Sequence, residues 1–427
     1  MFNLLDIKFI RENPSRVQEA AKNKGIDINV SYLLELDEKR REYIKKIEVI
    51  RNERNVKSKS IPVLDAEEKQ NTITEVRMLN EELKKYEEEL SKIAQEYDEL
   101  MYVVPSVPVE GVPIGESDEE NVEIKRNGKI PIFDFEFKDH VTLGELHDMF
   151  DFKRGAKVAG SRMYYLKNDG LNLQRAVLQM ALDFLSQKQF TPVSVPVLVR
   201  EQAMLGTGYF PLGKEQTYSI PKDDLFLVGT SEVPLVSYYS SEILDTQELP
   251  IKMAGISDCF RREVGAAGKD TRGLYRVHQF SKIEQVVICK NSAEESQKIH
   301  QELLRNSEEI LEMLEIPYRV VEVCTGDMGQ GQVKKHDIEA WMPSRNNFGE
   351  THSCSSFYDF QARRSSLKYR NKDNEINYCY TLNNTAVASP RILIPLLENH
   401  QQKDGSIRIP KALRPYMGNR EFLQLKK

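Results

Sequence analysis

The 427-residue sequence has no apolar run approaching the ~20 residues needed to cross a bilayer. Its opening, from Met1 to Pro14, carries charge at Asp6 and Lys8 and lacks the layout of a secretory leader, so a cytoplasmic location with no membrane partner is expected. The five cysteines (Cys259, Cys289, Cys324, Cys354, Cys379) are odd in number, widely spaced and free of any Cys-x-x-Cys pair. That usage argues against a disulfide framework or a structural zinc and for reduced thiols. Neither a glycine-rich dinucleotide fingerprint nor a GxxxxGK phosphate loop occurs, so a nucleotide triphosphate would have to be held by side chains. No internal repeat is visible. Net charge is −6, so the chain as a whole is not a basic nucleic-acid binder, and any such contact needs a local patch.

Glycine and proline are also missing from Ala66 to Leu100, and there the apolar positions Leu79, Leu83, Tyr86, Leu90, Ile93, Tyr97 and Leu100 alternate steps of four and three. That spacing is a heptad seam. Leu33, Leu36, Tyr43, Ile47 and Ile50 hold the same frame earlier, interrupted by Arg40, Arg54 and Lys57. Between the seams Pro62 breaks the helix and Asp65 is placed to cap the next one. The pattern predicts an antiparallel helical hairpin on the order of 50 Å long. Its first helix is basic and its second is rich in glutamate. The charges either pair across the two helices or form an edge that follows a phosphate backbone, and charge alone does not separate these readings.

A segment with three prolines and two glycines, Val103 to Gly115, marks a boundary. Beyond it, strand-length runs (193–199, 225–228, 285–288, 318–323) alternate with helical stretches (173–185, 293–314). Three segments carry chemistry. From Phe260 to Phe280, a strand ending at Arg261, a glycine-bearing loop and a second strand returning through Arg276 would supply Arg261 and Arg272 for oxyanions, with Glu263 between them, and Phe280 for an aromatic base. From Thr381 to Glu398, Ser389 and Pro390 read as a helix cap and first residue. Arg391 would then project from the first turn, where a cation has no structural reason to sit. From Asp337 to Ser355, Glu350 lies near the hydroxyls of Ser353 and Ser355, oxygen donors of the kind Mg²⁺ accepts.

Taken together these strings resemble motifs two and three of the class II aminoacyl-tRNA synthetases, and in detail the bacterial-type seryl-tRNA synthetases. The resemblance extends over essentially the whole chain. Leu34 to Arg41 and Arg51 to Asn55 are similar to the family's arm helix, and Asn121 to Ile124 and Phe133 to His140 to its catalytic-domain entry. Leu205 to Gly208, Val228 to Pro234, Gly268 to Gly273, Asp359 to Arg364 and Leu413 to Met417 complete it. It implies an α+β fold, an antiparallel sheet flanked by helices with an N-terminal antiparallel coiled-coil arm. Residues 1–112 would form the arm domain and 113–427 the catalytic domain, with motif one near 173–199, motif two near 255–284 and motif three near 381–398.

The implied activity is serine–tRNA ligation. L-serine is activated by ATP to seryl-adenylate and pyrophosphate, then passed to tRNA(Ser) by a homodimer; a selenocysteine tRNA stays open as a second acceptor. By resemblance, Thr230 and Glu232 hold the α-amino group with Ser231 part of the same serine site, and Arg261 holds the carboxylate and α-phosphate with Arg262 beside it. Glu263 takes the adenine amino group, and Phe280 stacks on adenine next to Val277, His278 and Gln279. Glu284 and Thr385 read the serine hydroxyl. Glu350 and Ser353 bind Mg²⁺, Thr351 and His352 belong to the ATP site, and Arg391 meets the γ-phosphate. Lys39, Arg40, Lys45, Lys46, Arg51 and Arg54 form the tRNA-binding edge of the arm. His278 reads as structural rather than as a base.

The chain departs from the family pattern at Ser231 (usually Ala), at Tyr209 (usually Gln), at Thr351-His352 (usually an apolar residue and Ser) and in the glycine-poor run before Arg391. Two alternatives share these strings: a relative that passes serine to a non-tRNA acceptor, and a non-catalytic RNA-binding paralogue. The long arm disfavours the first, and retention of Arg261, Glu263, Glu284, Glu350 and Arg391 disfavours the second.

Overall fold

The computed structural model describes residues 6–265, 270 and 272–425; Gly268, Lys269 and Thr271 of the expected Gly268–Gly273 match lie outside them. The chain divides into two compact units between Pro105 and Ser106, ahead of the expected 112/113 division. Residues after Ser106 are fastened to the second unit by backbone bonds. Ser106 N–H donates to the Gln330 carbonyl (3.0 Å) and Val109 N–H to the Val333 carbonyl (2.9 Å).

The first unit is dominated by two long helices, α1 (Val30–Ser60) and α2 (Ala66–Val103). Pro62 lies in a short 3₁₀ turn between them, and the Asp65 carboxylate caps α2 by accepting from the N–H groups of Glu67 and Glu68. Ile47, Ile50 and Leu83 are buried between the helices with Leu79, Tyr86 and Leu90 packed alongside, as the heptads require. Two of the cations that interrupt the first seam, Arg40 and Lys57, are tied down by partners within the hairpin. Arg40 pairs with buried Asp37 (3.4 Å) and stacks over Tyr97 at 4.3 Å, so it is a strut of the hairpin. Arg51 reaches Glu87 (2.7 Å) and Lys57 reaches Glu75 (2.9 Å) across the helices. Arg54 donates to its neighbour Asn55 (2.9 Å), whereas Lys39, Lys45 and Lys46 stand exposed along the same helix.

The second unit is built on an eight-stranded sheet. Its strands are β1 (Val122–Asn127), β2 (Thr191–Ser194), β3 (Ile251–Phe260), β4 (Gln279–Cys289), β5 (Tyr318–Glu322), β6 (Lys334–Met342), β7 (Asn347–Tyr358) and β8 (Tyr380–Ser389), in the order β1-β5-β6-β7-β8-β4-β3-β2. All neighbours are antiparallel except β2 and β3. Helices α3 (Asn168–Gln187), α4 (Ala293–Met313) and α5 (Leu393–His400) bury their apolar residues with those of the sheet in one large core.

Three local expectations are corrected. The run 193–199 is not one strand: Pro196, which has no N–H to give a ladder, separates Thr191–Ser194 from Leu198–Val199. The strand returning to Phe280 begins at Gln279, not before Arg276; Arg276 lies in the loop ahead of it, its side chain paired with Glu263 (2.8 Å). Ser389 does not cap a helix but ends β8, where it pairs with Ser281; Arg391 sits in the turn before α5 starts at Leu393.

Candidate active site

Two β-bulges shape the centre of the sheet. In β7, Ile338 faces His352 and Glu339 faces Glu350, which leaves Thr351 as the extra residue. In β8, Ile283 faces Val387 and Glu284 faces Thr385, which leaves Ala386 as the extra residue. A bulge interrupts the alternation of sides and re-aims side chains. A cleft with about 520 Å³ of empty space opens here, lined by Arg261, Glu263, Val277, Phe280, Lys282, Glu350, Thr351, Thr385 and Arg391 among others.

The cleft's cations are positioned by backbone. Arg261 Nε donates to the Gly229 carbonyl (3.3 Å), and its guanidinium lies 5.2 Å from the centre of the Phe280 ring. Arg391 Nε donates to the Tyr275 carbonyl (2.9 Å) and Nη1 to that of Glu350 (3.1 Å). The Tyr275 ring lies between Arg391 (4.4 Å) and Arg345 (4.2 Å), a positioning role not visible in the sequence. Burial alone would raise the Glu350 carboxyl, but Arg391, Lys335, Arg261 and Arg276 outweigh it and hold it below its ordinary value. Ser353 stands opposite Asp337 on β6. The Asp337 carboxyl is raised by burial, although Lys335 lies 3.0 Å away, and its Oδ1 is buried without a donor.

Deeper in, β4 carries a second cluster. Glu284 and Thr385 are direct cross-strand partners, and Glu284 is buried in an ion pair with Lys282, also buried. Lys282 Nζ donates to Thr230 Oγ1 (2.8 Å), which in turn accepts from the Glu232 N–H (3.3 Å). Glu232 accepts from Gln361 Nε2 (2.6 Å). Burial first, then the neighbouring Glu284 charge, pushes the Glu232 carboxyl up to about 7. Two buried carboxylates thus lie near one buried ammonium. Nothing in the sequence marks Lys282, Gln361 or Asn383, whose side chain also hydrogen-bonds Glu232, because only the strand register and the fold bring them here. The hydrophobic spacing of β4 was a clue, since a lysine inside a buried strand wants a partner.

Some expected residues stand elsewhere. Ser231 is buried and donates to the Gly255 carbonyl (3.3 Å). Arg262 Nη1 donates to the Glu215 carbonyl (3.1 Å), and Arg272 lies 3.5 Å from Asp139. The ring of His278 shares a hydrogen bond with the Arg261 carbonyl (2.9 Å), and Gln279 pairs with Phe260 at the start of the ladder. His352 is the clear correction: it is fully buried, and the bulge at Thr351 turns it from the cleft into the core. Burial lowers its pKa to about 4, so the ring is neutral. Its Nε2–H donates to the Ala386 carbonyl (3.0 Å), leaving Nδ1 to accept from Thr351 Oγ1 (2.8 Å).

Residues 4–108 match the seryl-tRNA synthetase N-terminal domain, and residues 217–400 match the class II core domain of the tRNA synthetases (G, H, P, S and T). A serine–tRNA ligase of Deinococcus radiodurans is 47% identical over 420 residues, covering 98% of this chain and 99% of the relative. The chain belongs to the seryl-tRNA synthetase family. A member from Nitrosopumilus maritimus is 40% identical, with 98% of this chain and 100% of the relative covered. Among solved structures of the family, seryl-tRNA synthetase from Pyrococcus horikoshii complexed with ATP superposes with a TM-score of 0.92 at 38% identity, over 99% of this chain and 100% of that one.

The Glu232 environment gives a test without ligand. Its folded pKa of about 7 lies above the unfolded value of 4.5, so ionisation opposes folding. The penalty is absent below pH 4.5, grows between 4.5 and 7, and is complete above 7. Glu232→Gln should therefore stabilise the free protein at pH 8, by up to about 3 kcal/mol, and hardly at all at pH 4.5. Denaturant unfolding at the two pH values checks this; an equal effect at both would mean that Glu232 is not held above its ordinary range.

Proposed function

We propose how this cleft carries out serine–tRNA ligation, the ATP-dependent activity of the family to which the chain belongs. The observation that carries the reading is the buried set Glu232, Lys282 and Glu284, in which two acids face one base. When both acids are ionised, one negative charge is left over in a space that water does not fill freely. The α-ammonium of serine, placed between Thr230 and Glu232, neutralises it. Glu284 and Thr385 then meet the substrate hydroxyl, and Ser231, bonded to the Gly255 carbonyl in the middle of β3, ties the Thr230–Glu232 segment to the sheet.

Arg261, at the junction of the two clusters, holds the serine carboxylate and the α-phosphate. Attack of that carboxylate on the α-phosphate forms a P–O bond and expels pyrophosphate. The step brings two anions together, so it needs fixed positive charge rather than an acid or base. Arg261 and Arg391 supply it, Arg391 at the γ-phosphate end. Adenine lies on Phe280 beside Val277, with Glu263 accepting from its amino group; Glu263 must then leave its ion pair with Arg276. His278 and Gln279 contribute the backbone that shapes this edge, and Arg262 flanks it. In the second step a ribose hydroxyl at the 3′ end of tRNA(Ser) attacks the acyl carbon of seryl-adenylate, and the departing phosphate accepts the proton.

The donors on β7 and β6 fit a divalent cation. Glu350 and Ser353 offer hard oxygens, and Asp337 keeps a buried Oδ1 free of donors beside them. Glu350 and Ser353 would hold Mg²⁺, which when bound screens the negative charge of the phosphates. The arm, with Lys39, Lys45, Lys46 and Arg54 on its first helix, is the tRNA-binding element, Arg40 and Arg51 serving to hold the two helices together. A homodimer is supported by Leu171 and Leu198, apolar residues left exposed on the motif-one helix and strand. A cytoplasmic site of action agrees with five free cysteines and with the absence of any described helix long and apolar enough to cross a membrane.

The purified protein should exchange pyrophosphate into ATP in the presence of serine and Mg²⁺, and lose the exchange on chelation. Faster exchange with threonine or alanine would overturn the substrate assignment. A chain beginning at Val104, which keeps the bonds of Ser106 and Val109 to the catalytic unit, should retain serine-dependent exchange while charging tRNA at least tenfold more slowly. Unimpaired charging would remove the arm from tRNA recognition.

A further inference from the structure

The ladder between β7 and β8 runs from Tyr358–Thr381 to Cys354–Asn384 and ends there, although both strands continue. The residues beyond that point include those proposed for serine and for the metal. Continuing the register, Ser353 would face Thr385 and His352 would face Ala386, but no backbone ladder joins them. The strands are free to part here because each is bulged, at Thr351 and at Ala386. A bulge leaves backbone groups without their ladder partners, and buried carbonyls without donors are costly.

Two buried side chains meet that need at β8. The His352 imidazole donates from Nε2 to the Ala386 carbonyl (3.0 Å), and Ser307 Oγ on α4 donates to the Thr385 carbonyl (2.7 Å). Ser307 is itself fixed, since it accepts from Asn384 Nδ2 (2.9 Å) and from Gln285 Nε2 (3.2 Å). His352 also accepts from Thr351 Oγ1 (2.8 Å), the bulged residue of its own strand. One ring therefore joins the bulge beside Glu350 to the bulge beside Thr385. Neither His352 nor Ser307 lines the cleft.

We propose that His352, assisted by Ser307, is a positioning residue for serine discrimination: by clamping the Thr385–Ala386 bulge it sets the Thr385 hydroxyl at the distance from Glu284 that reads a substrate hydroxyl. This rests on the pocket assignment made above. The clamp acts through the backbone, so it governs how well the site tells serine from alanine, a difference of one hydroxyl. A residue that merely stabilised the fold would lower the activation of both amino acids together and leave their ratio unchanged.

The test is pyrophosphate exchange with serine and with alanine, on the full-length protein. Gln at position 352 keeps a donor where Nε2 stood, whereas Asn keeps an acceptor where Nδ1 stood. His352→Gln should hold the serine-to-alanine ratio of kcat/KM close to wild type, while His352→Asn should lower it about tenfold, the loss of one buried hydrogen bond. Ser307→Ala, which leaves the ring in place, should lower the ratio in the same direction. If the Asn variant keeps the wild-type ratio, or if Gln and Asn variants lose it equally, the clamp does not set the pocket and the proposal fails. If the wild-type protein shows no serine-dependent exchange, the pocket assignment itself fails, whatever the variants do.

Discussion

A single buried ammonium, Lys282 Nζ, is the interaction on which the end of the cleft proposed for serine depends. It lies against the Glu284 carboxylate and donates to Thr230, so that residues from two separate segments share one charged centre. Burying charges is expensive, and a pair repays its desolvation only when the remaining donors and acceptors are satisfied. Here they are left one charge short: Glu232 adds a second carboxylate, and its raised pKa is the physical sign of that shortfall. On the reading proposed above, the substrate ammonium would supply the missing positive charge. Binding energy that would otherwise stabilise the fold is kept for the substrate.

The sheet makes this possible through its irregularities. An unbroken antiparallel ladder from β4 through β8 to β7 would leave no room for a ligand between strands and would send alternate residues into the core. Bulges at Thr351 and Ala386 stop the ladder at Cys354–Asn384 and direct Glu350, Thr351 and Thr385 to one side. The backbone groups so released are taken up by His352 and Ser307 from the core side. Arg391 is similarly held by carbonyls of Tyr275 and Glu350 instead of by the start of a helix. The charged groups of the cleft are thus anchored to backbone atoms of a rigid sheet, which suits catalysis by fixed electrostatics.

Much of this was legible in the sequence where it rests on local pattern. The heptads from Leu79 to Leu100 and the cap at Asp65 depend only on neighbouring residues, and both stand where their spacing put them. The α+β fold and the family followed from long, specific strings rather than from any single residue. The partnership of Glu284 with Thr385 was named from resemblance, and the register makes them cross-strand neighbours. What stayed hidden depends on register and tertiary contact. Alternation along β7 cannot show that Thr351 is an extra residue, so His352 read as part of the nucleotide wall although it points into the core. Arg40 read as a surface cation because the sequence does not show Asp37 and Tyr97 closing over it. Lys282 passed unnoticed because a lysine in an apolar strand gains meaning only from the carboxylates that other segments bring to it.

The central claim is that buried hydrogen-bonding groups, rather than pocket size, recognise the substrate hydroxyl. Thr385→Val tests it most directly, since it preserves shape and removes one hydroxyl from the wall of the cleft. The quantity to measure is the ratio of serine to alanine kcat/KM in pyrophosphate exchange. The account predicts that serine loses ~1–3 kcal/mol of transition-state stabilisation while alanine changes much less, so the ratio falls. An unchanged ratio would contradict it, and recognition of the hydroxyl would then have to rest on Glu284 without Thr385.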